Sequence, residues 1–564
     1  MKRFRNLQNY LGGLLCFVIC FSFLIMNCVK KPGEELHKNL IPTKPGKPPN
    51  YWCTWAAQNY MEGQEETELD PILWKVAGIG KYYSDHINEK VLFNNPGWLV
   101  HYFPKVRKDL FVVLDCGWDI PVNRDVAYRN SCRLDPHKYP SFSGGTIEEN
   151  LKMLNNSVKE NGWRGLGLWF RVAEPALDED IKLRNSVSSK EEYDRLYWDE
   201  RMNWCQQAGI EYWKVDLGGD DKIYRMMSEM AAKKDFKLVV AHGIPLKNGP
   251  FNSYPGSGLM DAQTLESFVN RIDYSEVLRL CDINPQLGIP TMLERLSHVL
   301  DASKNKPEIK GLLNCDDEVY IAALLGGTMG ILRNPMIGLR PGGDPDLYMN
   351  GPRLQKKRMD EVTRAVRWQR IAPALGAGVT DVTLDSMTLI DEWKYSLGEF
   401  WTSAEDWDYF YTSTDKIVNQ GAPARVTRGL PLPEVDIDGA PPYVLASRHP
   451  NGSIAVGTLG RVSPEKGFYS PEADVTLQVG EVTGLIGIFG FYRSLTLVFD
   501  KPLNKVRIWG QDLAGDEAVD ISGQVTIDGN NITLPGELIK KVGLSAASEG
   551  DLSDPGMVIK IESL

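Results

Sequence analysis

The sequence predicts a (β/α)8 barrel of α/β class followed by a C-terminal all-β sandwich, and three observations carry that expectation. From residue 49 onward, short apolar runs alternate with longer stretches of helical periodicity, the pattern of parallel strands joined by crossover helices. Eight such runs can be counted before residue 340. From about residue 440 the pattern changes to alternating strands punctuated by Asn-Gly and Asp-Gly steps, which are hairpin signals.

The eight runs are YWCTW (51–55), LFVVLDCGW (110–118), GLGLWFR (165–171), YWKVDL (212–217), KLVVAHG (237–243), EVLRLCDI (276–283), GLLNCDD (311–317) and GTMGILRN (327–334). About 55 residues separate the first two, an elaborated loop. Between the others the periodicity is helical. TIEENLKMLNNSVKENG opens with Thr146 as N-cap and Glu149 three residues later, and EEYDRLYWDERMNWCQQAG closes on Gly209. A doubly wound open sheet and a seven-stranded incomplete barrel are the competing architectures. The expected division is a catalytic barrel over 49–400 and a β domain over 401–564 with an irregular lead-in.

Ahead of the barrel, a basic start precedes an apolar run from Leu11 to Met26, which reads as an export signal over 1–27. LIMNC resembles a relaxed lipoprotein signal with Cys28 as the lipidated first residue, although Asn27 departs from the usual small residue there. Residues 28–48 are rich in Pro and Lys and read as a flexible tether. The expected location is therefore an exported, membrane-anchored lipoprotein, periplasmic or at the cell surface. A simple cleaved signal and an uncleaved anchor are the alternatives.

A formal net charge of −11 argues against a nucleic-acid partner. Of nine cysteines, six follow the export segment, too few for a disulfide framework and without metal-ligand spacing. Seven histidines, none spaced as ligands, argue against a metal-dependent hydrolase, and no cofactor is expected.

In a barrel of this type the active site lies at the C-terminal ends of the strands. The polar residues there are Asp115, Arg171, Glu174, Lys214, Asp216, His242, Arg279, Asp282, Asn314 and Asp316. Lys214 and Asp216 share one face of their strand, because side chains alternate. Asp216 and Asp282 each end an apolar strand with a cation two or three residues before. Paired carboxylates across a polar cleft are what glycoside hydrolysis needs, one to attack or activate water and one to protonate the leaving oxygen. Lys214 would keep Asp216 ionised. Ion pairs that merely stabilise strand ends would give the same pattern.

LFVVLDCGW, GLGLWFRVAEP, YWKVDLGG and LRLCDI, in that order, resemble the strand-end motifs of the α-galactosidase clan, the melibiase-type retaining glycoside hydrolases. DDEVYIAALLGGTMGILRNPM also looks like that clan's last barrel helix and strand. The resemblance covers about residues 50–340. It implies Asp216 as nucleophile, Asp282 as general acid/base, and Lys214 and Arg279 as ligands of sugar hydroxyls. Asp115 would accept from the 4- or 6-hydroxyl, with Trp55 and Trp169 as apolar walls. Two departures bear on the sugar. Cys116 stands where the clan often has a second acid, and the fifth strand ends in AHGIP, bringing His242 toward the sugar's 2-position.

The function implied is a retaining exo-glycosidase acting on terminal α-galactoside-type linkages. β-L-Arabinopyranosidase and α-N-acetylgalactosaminidase activities of the same clan stay open. So does a carbohydrate-binding surface protein without turnover.

Overall fold

The computed structural model describes residues 39–60, 87–94, 97–120, 130–172, 178–216, 221–243, 262–280, 287–332, 358–395 and 416–564. Eight parallel strands close a barrel in sequence order: β1 (Asn50–Cys53), β2 (Leu110–Leu114), β3 (Gly165–Arg171), β4 (Tyr212–Asp216), β5 (Val239–His242), β6 (Val277–Arg279), β7 (Leu312–Asp316) and β8 (Thr328–Ile331). Each coincides with one of the eight apolar runs. β8 pairs back onto β1 through Tyr51 opposite Gly330, which closes the ring and leaves no sheet edge.

Helices fill the crossovers: α1 (Ile147–Glu160), α2 (Lys190–Ala208), α3 (Asp221–Ala232), α4 (Ala262–Ile272), α5 (Gly288–Ser303), α6 (Val319–Leu325) and α7 (Met359–Ile371). α1 starts where its capping box dictates. Thr146 accepts from the Glu149 amide, and Glu149 reaches back to the Thr146 amide, so two otherwise orphaned donors are satisfied. α2 ends at Gly209 with φ +66°, a left-handed position that glycine adopts without steric cost.

Paired residues of neighbouring parallel strands share a face, so the strand register sorts the side chains. Tyr51, Cys53, Val113, Gly167, Trp169, Tyr212, Lys214, Ala241, Val277, Arg279, Asn314 and Gly330 form one connected set of partners, which point into the barrel. The intervening residues pack outward: Trp213 lies 4.4 Å, centroid to centroid, from Phe170, and its indole meets the Cys205 thiol on α2.

The C-terminal domain is a sandwich of two mixed sheets. The eight-stranded sheet runs 519–520, 506–512, 556–563, 486–489, 454–459, 443–448, 425–428 and 382–384, and the five-stranded sheet 434–436, 474–480, 494–499, 531–535 and 526–528. Val444, Val456, Ile488 and Ile559 of the first meet Val475, Leu477, Leu497 and Ile532 of the second in one buried apolar core. The strand Val382–Leu384 pairs with Arg425–Arg428, so this sheet draws on chain ahead of the expected boundary at residue 400.

The sandwich is docked onto the barrel by buried polar contacts. Arg364 of α7 pairs with Asp512 at 2.9 Å, the Arg428 guanidinium donates to the Leu325 carbonyl at the end of α6, and the Tyr320 hydroxyl donates to the Asp554 carbonyl.

The expected flexible tether is corrected in its last part. From Asn39 the chain is a strap held by both domains: the Leu40 amide donates to Gln511, Ile41 is buried, and the Gly46 amide donates to Asp109. The extended, hydrogen-bonded chain there follows from prolines that fix φ and from carboxylate and amide partners placed along its path. The apolar run and Cys28 lie outside the described residues. Among the described residues no helix is long and apolar enough to cross a membrane.

Candidate active site

Lys214 is the centre of a charge network at the C-terminal mouth of the barrel. Its ammonium lies 2.6 Å from Asp115 Oδ2 and 3.0 Å from Asp216 Oδ2. Arg279 pairs with Asp216 Oδ1 through one nitrogen and reaches Asp316 Oδ2 at 3.5 Å through another. The Arg279 Nε–H donates to the Tyr51 hydroxyl at 2.9 Å, and that hydroxyl donates to Asp316 Oδ1 at 3.2 Å. Asn314, with its amide nitrogen turned toward Asp316, donates to the same oxygen at 3.0 Å. The Trp169 indole donates to Asp216 Oδ2 at 3.0 Å. Three carboxylates thus share two cations.

Depth separates their roles. The side chains of Asp115 and Asp316 are 1% and 0% exposed, whereas that of Asp216 is 18% exposed. Of these three described carboxylates, Asp216 is the one with access to the mouth. Burial pushes its carboxyl up, but Arg279 and Lys214, with hydrogen bonds from Lys214 and Trp169, outweigh burial and hold it well below the usual carboxylate range. Burial pulls Lys214 down, and Asp115 and Asp216 more than reverse it, leaving a firmly charged ammonium. Tyr51 is raised by burial and stays protonated, as a donor to Asp316 must be.

Asp115 follows β2 directly and lies beneath Lys214 rather than in the opening. Its Oδ2 accepts from Lys214 and the Cys53 thiol, and its Oδ1 from the Cys116 amide. Burial and the Asp115 charge both raise the Cys53 thiol, which therefore acts as a neutral donor. Cys116 is buried, and its carbonyl accepts from the Gln58 amide. Trp55 begins the short helix after β1 and is partly buried against the main core.

His242 is a correction. Val215, its partner in the neighbouring strand, faces outward, and so does His242. Its Nε2 lies 2.8 Å from the Ser228 hydroxyl on α3, and its ring packs against Tyr224. Burial and the Arg271 charge push it down to about 3, a neutral ring inside the helix layer. It has no access to a sugar in the mouth. Asp282 lies outside the described residues, which end at Leu280 and resume at Leu287.

The sequence alone does not mark Tyr51 or Cys53 as site residues, and it assigns no role to Asn314 or Asp316 beyond their place at a strand end. The signal was spacing: residues 51 and 53 stand two apart on a strand, as do 314 and 316, so each pair shares a face. Glycine supplies the room. A Cβ on Gly330 would lie 2.5 Å from the Tyr51 hydroxyl and 2.6 Å from Asp316 Oδ1, so only a bare backbone fits beside that pair.

A firmly ionised carboxylate flanked by an ammonium, a guanidinium and an indole edge can attack an electrophilic carbon or hold hydroxyl groups. Among the described residues no group of His, Cys, Asp or Glu side chains could hold a metal ion.

The fold and site define a (β/α)8 barrel with a charge network at the strand C-termini and a C-terminal β-sandwich. No protein-family model matches the chain, and no curated protein matches it by sequence. Among solved structures it is similar to the carboxyl transferase domain of Rhizobium etli pyruvate carboxylase, at 12% identity and TM-score 0.27, over 60% of this chain; it spans 53% of that chain's length. It is also similar to a cyclic α-maltosyl-(1→6)-maltose hydrolase from Arthrobacter globiformis, at 11% identity and TM-score 0.28, over 70% of this chain and 94% of the other. Likenesses this remote add nothing about function, and the barrel stands on its own strand pairing.

Proposed function

We propose that this chain is a retaining exo-glycosidase that cleaves terminal α-galactoside-type linkages through a covalent intermediate on Asp216. The observation that carries the reading is the ionised Asp216 carboxylate, the least buried of the three acids of the network at the barrel mouth, paired with Arg279 and Lys214. A carboxylate that attacks an anomeric carbon must be unprotonated at the working pH and open on one side. Asp282, three residues beyond Arg279, is assigned the general acid and then base.

Substrate binding has a definite task in this scheme. Both Asp216 oxygens are engaged by Lys214, Arg279 and Trp169, so sugar hydroxyls take over part of those bonds as the anomeric carbon approaches. Asp115 acts by orienting Lys214. Trp169 and Trp55 offer flat faces to the ring. With Cys116 in place of a second acid, pentopyranosides such as β-L-arabinopyranosides compete with galactosides at this site. The protein is proposed to work outside the cytoplasm, anchored through a lipidated Cys28, and mass spectrometry of the native N-terminus checks that part.

The test is a pair of variants. Asp216→Ala should abolish turnover of every substrate. Asp282→Ala should still form the glycosyl-enzyme from an activated aryl glycoside, with azide speeding its release. Product stereochemistry by NMR should show retention. Inversion, or near-normal turnover by Asp216→Ala, would mean that the network only stabilises strand ends.

A further inference from the structure

At the other end of the barrel, where the strands begin, the chain builds a second charged cavity that plays no part in the proposed reaction. Its volume is 390 Å³. The strap of residues 39–45, the loop 104–108 ahead of β2, the turn at Asn161–Gly162 after α1, and the end of α7 wall it. Five cations line it, Lys105, Arg107, Lys108, Arg367 and Arg370, with Asp516 as the one carboxylate among the lining residues.

The pairing leaves positive charge over. Arg367 is answered by Asp516 at 2.6 Å and Arg370 by Asp109 at 2.6 Å. Among the described residues the Arg107 guanidinium makes no ion pair: it donates to the Tyr102 and Val100 carbonyls and lies 5.8 Å from the centre of the Trp163 ring, and the Lys105 ammonium donates to the Ala514 carbonyl. Carbonyl oxygens orient a cation without cancelling its charge. Lys108 makes no ion pair among the described residues. Three uncancelled cations within four residues of sequence therefore converge on one concave site, while the chain as a whole carries −11. Like charges held together this way repel, and a bound anion relieves that repulsion.

We propose that this cavity binds a tetrahedral oxoanion, a phosphate group above all, through Lys105, Arg107 and Lys108. Arginine and lysine donors match phosphate oxygens, and the cavity holds such a group with room for its substituent. The phosphate is either a free oxoanion or the headgroup of a lipid at a membrane surface. The strap lining the cavity begins at Asn39, eleven residues after Cys28 in the sequence.

Inorganic phosphate is the probe. Calorimetric titration of the full chain, at constant ionic strength made up with chloride, should give one saturable site. Lys108→Glu and Lys105→Gln/Lys108→Gln should each weaken it tenfold or more, with melting temperatures close to the parent, since neither side chain carries an ion pair. Lys501→Glu, at an exposed position of the C-terminal domain, should leave it unchanged. Vesicles of phosphatidylglycerol then separate the sources. Binding to them that is sensitive to Lys108→Glu and competed by free phosphate assigns a lipid headgroup; phosphate binding without it assigns a soluble oxoanion. A parent chain with no saturable phosphate site, or unchanged affinity in both lysine variants, overturns the proposal.

Discussion

Gly243 stands against Asp216 so closely that a Cβ built on it would lie 2.4 Å from Asp216 Oδ1 and 3.3 Å from Arg279 Nη1. Its amide is held by the Val215 carbonyl at 2.8 Å, so the backbone has little freedom to retreat. The absence of a side chain at the end of β5 is thus what allows the Asp216–Arg279 pair to form. Gly243→Ala should displace the carboxylate from its partner. Overpacking of this kind costs about 1–3 kcal/mol. Turnover of an activated glycoside should fall at least tenfold while the circular dichroism spectrum stays that of the parent. Full activity in Gly243→Ala would show that the pair tolerates a shifted carboxylate.

Lys214 neutralises two acids at once, and its removal should be felt first as instability. Lys214→Met leaves Asp115 buried with no cation, and breaking a buried pair from one side costs roughly 3–5 kcal/mol. Asp115→Asn in the same chain should restore part of that loss, because the stranded charge disappears with it. Urea denaturation of the two single variants and the double variant measures the coupling. Additive losses would mean that Lys214 is not the counterion that Asp115 needs.

Asp119 lies just beyond the same strand and follows a different rule. Burial raises its carboxyl to about 7, against hydrogen bonds from Cys132 and Ser131 that lower it. The fold therefore favours the protonated form. The stability it contributes is fully present below the ordinary carboxylate range and is lost as pH rises from there through about 7. His242 and His449, which burial pushes down to about 3 and about 4, act with the opposite slope, since their neutral rings favour the fold as pH rises toward 6.5. The difference between parent and Asp119→Asn isolates the acid. The variant should gain stability relative to the parent as pH goes from 4 to 8. A constant difference would place Asp119 ionised throughout.

How far the sequence reaches is clearest on β4 and β5. In YWKVD the charges alternate with apolar residues, so the inward face of β4 can be read directly, and Lys214 and Asp216 are where that alternation puts them. In KLVVAHG both faces are apolar, as in most strands covered by helices, and nothing local sets the phase. Ala241 faces inward and His242 outward only because β5 pairs in that register with β4. Tyr51 was hidden for a related reason: in YWCTW, tyrosine reads as another core aromatic until β8 and β7 bring Gly330 and Asp316 beside it. The ordered strap at 39–48 was illegible because its partners, Gln511 and Asp109, lie 471 and 63 residues away.

Tyr51 is the residue whose role tests this network most sharply. Its hydroxyl accepts from Arg279 Nε and donates to Asp316, so it fixes the guanidinium that in turn holds Asp216. It is a positioning residue, since Arg279 lies between it and Asp216, the carboxylate proposed to attack. Tyr51→Phe keeps the ring, which packs 5.3 Å from Tyr212, and removes only the bridge. A hydrogen bond to a charged group contributes about 1.5–3 kcal/mol, equivalent to roughly tenfold to a hundredfold in rate if it is expressed in the transition state. The loss should fall on kcat more than on KM, because the sugar does not meet Tyr51 in the proposed scheme. It should also move the acid limb of the kcat profile upward, as a loosened guanidinium holds Asp216 down less firmly. Unchanged kcat with an unchanged acid limb would show that Asp316 and Asn314 orient Arg279 without the hydroxyl.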